Sequence, residues 1–437
     1  MSLNTIKIIL SAGLIVVFVS AFLPGFEISM GDITEQTSHR LNDPDSSKKA
    51  KLPEDVNPLT GLVIKNPDNL WLPPALVSIT NWPASSRPQA GLSFSPLVFE
   101  LFIGEGMSRF VALFYGDFPT IDTEEHKSED SGTSNSDNDD SNQVTIGPIR
   151  SGRLPYDHLQ KSYNGFLVMA SGYKGVLKNL SQFTNIYGTE EDDINSAMIP
   201  VTAIEDMAKS MRQEVDPESM QVNQFTLEPP SIGLPAPRLW FIYNSIDQVV
   251  WQYSQDTGSY SRYQDNADGE TFIQATDLLN GEPLSYENVV ILFTNHRFCT
   301  ETAFDLDLMY INKAPAILLR DGQLFRIFWT TKNEDYEKST GKLRPIRFID
   351  ENGEPFPLKP GQSWVHFVPL NTPVWEASEL SQVGLDGALE GGEWEAPDSA
   401  RLLHNLINHK SHGSGEWVTR FETSYMVYDE SVCQALK

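Results

Sequence analysis

Cysteine is nearly missing from this chain: only Cys299 and Cys433 occur in 437 residues. Distance along a chain does not give the Cα–Cα distance that a disulfide needs, so pairing and two free thiols both stay open. Neither cysteine lies near the apolar N-terminal run, which excludes a lipid-modified cysteine at that place. Basic residues are scarce too, with 32 Lys plus Arg against 59 Asp plus Glu and a formal net charge of -27. That balance excludes general nucleic-acid binding, which needs a basic face to neutralise phosphates, and adhesion to an anionic membrane by charge alone. Repeats at solenoid periods are absent, and no cofactor motif is found.

What is present suffices for two ordinary domains, because single cores stop growing near about 250–300 residues and 40% of this chain is hydrophobic. Lys7 precedes an apolar run over 8–23, broken only by Ser11, Gly13 and Ser20. A bilayer core takes about 20 apolar residues and a secretory signal core about 7–15. Residues 1–23 therefore read as a signal peptide, with Val19-Ser20-Ala21 as cleavage sequence, or as a membrane anchor. Either one exports the body. Residues 24–56 carry too few large apolar side chains to offset ordering entropy and read as a disordered tether.

The expected fold class is α+β, a mixed α/β N-terminal domain followed by a mainly antiparallel β C-terminal domain. In the first, 57–237, short apolar runs predict strands at 75–80, 97–103, 110–115 and 165–170. Helices are expected at 154–163, with Pro155 in the first turn, and at 174–183 and 201–211. A disordered acidic insertion is expected at 120–143. In the second domain, 238–370, strands are expected at 239–243, 259–263, 288–294, 315–319, 323–329, 346–349 and 364–368, with Asp321-Gly322 and Asn352-Gly353 as hairpin turns. An acidic extension, 371–437, with a short amphipathic piece at 400–409, follows.

The sequence Ile146-Gly147-Pro148-Ile149-Arg150-Ser151-Gly152-Arg153 stands out in so acidic a chain. It sets two arginines at the approach to the 154–163 helix, where free backbone N–H groups and the helix dipole favour an anion. Guanidinium forks bind carboxylate or phosphate in bidentate fashion. With Arg87 and Arg109 these residues form a candidate ligand site, in which Ser151 caps the helix or contacts the anion. Glu100 belongs to the same set through the alternative that Arg109 and Arg150 pair with Glu100 and Glu105 and brace a sheet. An enzyme reading uses Glu100 and Glu105 as the acid and base of a cell-wall glycan hydrolase or transferase, which requires carboxylates about 5–9.5 Å apart. A third reading is a structural docking protein.

Weaker constellations were weighed as well. Asp157 and His158 follow Ser151, but no Gly-x-Ser-x-Gly elbow frames that serine. Asp137, Asp139 and Asp140 lack the glycine and distant glutamate of a calcium loop. His404, His409 and His412 lie in a polar tail without a nearby cysteine, so no metal site is expected. Tyr243, Trp251, Tyr253, Tyr260, Tyr263 and Trp329 are either a glycan-stacking surface or the core face of strands.

Seven separated segments then carry a resemblance: Arg87-Pro88-Gln89-Ala90-Gly91-Leu92-Ser93, Val98-Phe99-Glu100, Arg109-Phe110, Gly147 to Arg153, Asn288-Val289-Val290, Asp321-Gly322, and Pro360-Gly361-Gln362-Ser363-Trp364-Val365. In order and spacing the chain resembles the YerB-like family of bacterial cell-envelope lipoproteins, a two-domain family of unknown function. It departs from the family in lacking the membrane-proximal cysteine and a clear counterpart of one segment near 198–200, and Gly104-Glu105-Gly106 replaces a Glu-Gly-Gly run. The resemblance implies an envelope address and a domain layout but no reaction. The expected partners are an anionic envelope ligand or an envelope protein, with membrane contact through the N-terminal segment only.

Overall fold

The structure, a computed structural model, describes residues 52–119, 144–186, 195–211, 214–269, 271–300, 302–377 and 413–437. The expectations for 1–23, for most of 24–56, for 120–143 and for 400–409 lie outside the described residues. Two sheets make the core, and the larger one draws strands from both halves of the chain. Its order runs Arg347–Ile349, Gln323–Thr330, Ala314–Arg320, Asn288–Thr294, Ser363–Pro369, Leu97–Gly104, Met107–Phe114, Ala75–Thr80, Phe166–Met169, Phe183–Asn185. The halves join where Ser363–Pro369 lies parallel to both Asn288–Thr294 and Leu97–Gly104. Strands such as Ala75–Thr80 and Asn288–Thr294 are buried at every position. That is why they read as continuous apolar runs rather than as alternating ones.

The second sheet is ordered Phe272–Gln274, Ser259–Asp265, Asp247–Ser254, Arg238–Asn244, Glu416–Arg420, Val374–Glu376. Residues beyond 370 thus complete this sheet, with Glu416–Arg420 parallel to Arg238–Asn244. Most pairings in the C-terminal half are antiparallel, as expected. Asp321 and Gly322 both adopt left-handed backbone, φ 54° and 68°, and join Ala314–Arg320 to Gln323–Thr330 in a two-residue hairpin.

Two expectations need correction. The 174–183 helix ends after Lys174–Leu177, where the Asn179 side-chain amide donates to Gly175 O (2.8 Å) and Ser181 N donates to the Asp157 carboxylate (2.8 Å). These bonds turn the chain into strand Phe183–Asn185. Strand Asp247–Ser254 was not anticipated, because Asp247, Gln248 and Gln252 punctuate its apolar Val249-Val250-Trp251 centre.

Between the sheets lies a sealed polar cluster at the seam of the two halves. Glu100, fully buried, faces His366 across the parallel pair. Its carboxylate accepts from Ser108 Oγ (2.8 Å), Trp364 Nε1 (2.9 Å) and Arg262 Nη2 (3.2 Å). The Arg262 guanidinium comes from the second sheet and lies over the rings of Trp364 (4.9 Å) and Phe110 (5.2 Å). Trp251 Nε1 donates to His366 Nε2 at 2.9 Å. Because an indole N–H only donates, the neutral imidazole carries its proton on Nδ1, toward Glu100 and the Tyr243 hydroxyl. Replacing Glu100 by Ala strips the buried guanidinium of its ion pair and should cost about 3–5 kcal/mol, whereas Glu100→Ala with Arg262→Met should recover much of that loss. Urea midpoints at unchanged m-value measure both.

Candidate functional site

A pleated strand sends alternate side chains to opposite faces, and this separates the sequence candidates. Glu100 sits opposite Phe110, while Arg109 sits opposite Leu101. Glu100 and Arg109 therefore leave the sheet on opposite sides. The expected bracing of Arg109 by Glu100 does not occur, and Arg262 takes that place from 162 residues away in sequence. Arg87 also stands apart from the other arginines. Its Nε donates to Asn81 O (3.1 Å), its Nη1 to Asp265 O (2.8 Å), and it lies over Trp82 at 5.2 Å. Burial lowers its pKa.

Arg109, Arg150, Ser151 and Arg153 do come together. They lie on the outer face of the first sheet, where helix Leu154–Ser162 packs, its C-cap Tyr163 against Phe99 (ring centroids 5.7 Å). Arg109 Nη1 donates to Ser151 O (2.8 Å) and lies 3.3 Å from Ser151 Oγ, which also accepts from Arg153 Nη1 (3.1 Å). Arg150 Nη2 donates to Asn195 Oδ1 (3.1 Å). Ser151 does not cap the helix, whose N-cap is Arg153 without a side-chain bond. Among the described residues no carboxylate forms an ion pair with Arg109 or Arg153, and the buried Nε atoms of both lack a hydrogen-bond partner. Burial lowers Arg109 to about 10, and Arg153 and Arg150 push the same way; only the phenol of Tyr156 works against them.

Arg153 and Ser151 line a cavity of about 850 Å³, and Arg109 reaches it only through its bonds to Ser151. Ser151, Arg153 and Leu154 form one side of it, and Thr300, Thr302 and Phe304 of the hairpin between His296–Thr300 and Ala303–Leu306 form another. The third side is the C-terminal segment, with Tyr428, Glu430 and Leu436. That wall is fixed in three ways. Cys299 and Cys433 form a disulfide with Cα atoms 5.0 Å apart, which settles the open question of their pairing. Arg297 binds Asp429 (3.1 Å), whose side chain caps helix Glu430–Leu436. Gly175 lets Leu436 approach so closely that a Cβ there would meet its carbonyl oxygen at 2.0 Å. Sequence reasoning missed this wall, and the two lone cysteines were the one signal that could have placed it.

The remaining candidates disperse. Glu105 is exposed at a hairpin turn with φ 54°, so it shares no cleft with the sealed Glu100. His158 contacts Leu306 O (2.9 Å) and Asp157 pairs with Lys161 (2.5 Å), so neither forms a triad with Ser151. Tyr243, Trp251, Tyr260 and Trp329 are core residues. No cluster of three or more His, Cys, Asp or Glu side chains suited to a metal occurs among the described residues. The residues weighed for calcium, 137–140, and His404, His409 and His412 lie outside them. No helix among the described residues is long and apolar enough to cross a membrane.

Residues 59–220 match the family model "Protein of unknown function (DUF3048) N-terminal domain", and residues 240–365 match the "Protein of unknown function (DUF3048) C-terminal domain". The chain belongs to the DUF3048 family. It is similar to a Bacillus subtilis (strain 168) protein named "Putative lipoprotein YerB", 24% identical over 345 residues that cover 75% of this chain and 88% of that one. The crystal structure of the YerB protein from Bacillus subtilis has the same fold, with a TM-score of 0.52 at 20% identity over 72% of this chain and 96% of the other. The family read from the sequence segments and the family matched here agree. The cavity wall at 428–437 lies beyond the DUF3048 match, which ends at 365.

His366 and Asp247 of the sealed cluster, and the buried His296 outside it, give a pH signature. Burial holds His366 and His296 down at about 4, so both are neutral in the folded protein and gain protons on unfolding below about 6.5. Each contributes stability above that pH that is lost as pH falls through 4, about 3 kcal/mol apiece. Asp247 has the opposite sign: burial and then Glu100 raise it to about 6, so its contribution is present below 3.8 and lost as pH rises through 6. His366→Gln should therefore flatten the acid limb of a stability profile by about one proton, and Asp247→Asn should steepen it. Urea midpoints between pH 4 and pH 7 distinguish these slopes.

Proposed function

We propose that this chain is an extracytoplasmic, membrane-tethered binding protein that holds an anionic ligand at Arg109, Arg150, Ser151 and Arg153, without catalysing a reaction there. The observation that carries this reading is a set of guanidiniums gathered round one serine, in a chain of net charge -27, with no carboxylate paired to Arg109 or Arg153 among the described residues. Positive side chains in an acidic protein meet a carboxylate by default, so Arg109 and Arg153, without one among the described residues, suit an external anion. The start of the adjoining helix adds little to this, because Pro155 has no N–H and Tyr156 N donates to Arg153 O (3.1 Å). The apolar run at 8–23 and the printed name of the Bacillus relative support an envelope address. The glycan-hydrolase alternative has no supporting pair, since Glu100 is sealed and Glu105 exposed.

Melting of the full chain in nonionic detergent, followed by intrinsic tryptophan fluorescence, tests this. A ligand at about 100 times its Kd adds about 2.7 kcal/mol to the folded state. Phosphate, glucuronate and short peptides with a free carboxylate form the first panel. At least one is expected to raise the melting temperature of the native protein and not of Arg153→Ala. Equal shifts in both proteins, or none with any anion, would overturn the reading and favour protein docking. For that the exposed Leu227 and Ile232, 75% and 96% accessible, are the natural surface.

A further inference from the structure

We propose that the arginine cavity takes the free carboxylate end of a short peptide bearing a small apolar side chain. This rests on the anion-binding reading above and narrows it to one chemical class. Two cations line the cavity: Arg153, which shares Ser151 with Arg109 behind it, and Lys437, which lies beside a carboxylate. That carboxylate is Glu430, also in the lining, which accepts from the Tyr428 hydroxyl (2.7 Å) with Lys437 Nζ 3.9 Å away. A polyanion needs a continuous cationic track and would meet Glu430 instead, so a single negative charge fits. Leu154, Val176, Phe304 and Leu436 add apolar surface to the lining. Such walls favour an aliphatic side chain over the hydroxyls of an unsubstituted acidic sugar, which would lose water without replacement bonds.

Amide groups also find partners at the rim. The three-stranded sheet Ala303–Leu306, His296–Thr300, Val427–Tyr428 ends on Val427–Tyr428, whose side chains are 55% and 57% accessible. Among the described residues no strand pairs with its outer edge, so its free N–H and C=O groups can add an extended peptide. Thr300 and Thr302 carry hydroxyls into the same cavity. A fatty acid would bring a carboxylate but would use none of these groups.

Isothermal titration calorimetry of the full chain in nonionic detergent decides the matter, with acetyl-alanyl-alanine, its C-terminal amide, glucuronate, inorganic phosphate and octanoate as probes. The free-carboxylate dipeptide should bind, and the amide should bind about tenfold more weakly or worse, since hydrogen bonds to charged groups contribute about 1.5–3 kcal/mol. Arg153→Ala should weaken the dipeptide by a similar factor. Thr302→Glu, a change at an exposed position that leaves the core untouched, should weaken it several-fold by repulsion. Equal affinity for acid and amide, or no response to Thr302→Glu, overturns the proposal. Tighter Arg153-dependent binding of phosphate, glucuronate or octanoate overturns the peptide class and leaves the anion reading standing. No heat with any probe overturns both.

Discussion

The Glu100 carboxylate fixes how the two halves of this chain meet. Backbone hydrogen bonds alone would let strand Leu97–Gly104 slide along Ser363–Pro369, and a slip of one residue would turn every side chain to the opposite face. Glu100 removes that freedom, because its four donors come from three different strands and two sheets: Ser108, Trp364, His366 and Arg262. Burying a carboxylate and a guanidinium costs desolvation that their attraction barely offsets, so the pair is better understood as fixing register than as adding stability. The aromatic rings around Arg262 and the stacked Phe241–His366 pair, with centroids 4.1 Å apart, exclude water that would soften that restriction.

The register has a direct consequence on the far side of the sheet. With Glu100 facing inward, Arg109 on the neighbouring strand must face outward, toward Ser151 and the helix Leu154–Ser162. The pleat thus acts as a charge separator. Asp247 and Glu100 gather on the inner face with Arg262, while Arg109 and Arg153 are left on the outer face away from both carboxylates. Backbone geometry, not distance along the chain, keeps Glu100 and Asp247 away from Arg109 and Arg153.

Much of this was legible before any coordinates. Fully buried strands announce themselves as short apolar runs, and Ala75–Thr80 and Asn288–Thr294 lie where the runs do. The Asp321-Gly322 turn and the helix after Arg153 follow from local backbone preferences. The convergence of Arg109 with the 150–153 loop was open to reading because both lie in one apolar-bounded half of the chain. Other features have no local signal. Arg262 reaches Glu100 through a sheet packing that no spacing encodes, and Asp247–Ser254 hides behind polar positions, of which Asp247 points into the sealed cluster. The C-terminal wall of the cavity depends on a disulfide whose partners are 134 residues apart. The sequence supplied the candidates, and only three-dimensional packing could sort Glu100 and Arg87 from the arginines that share Ser151.

The cavity and the sealed cluster are linked energetically as well as geometrically. Guanidiniums held close together repel, and the lowered pKa of Arg109 records both its burial and the push from Arg153 and Arg150. A flexible site would relieve this by letting the side chains swing into water. Here the backbone is pinned from both ends: Arg150 N donates to Ser78 O (2.9 Å) and Gly152 N to Ser171 O (3.0 Å), which fixes the backbone that carries Arg150, Ser151 and Arg153. An anion bound as proposed would relieve the repulsion without the cost of ordering the loop backbone. Such preorganisation requires a scaffold stable enough to carry an unfavourable patch, and the sheet whose register Glu100 enforces is that scaffold.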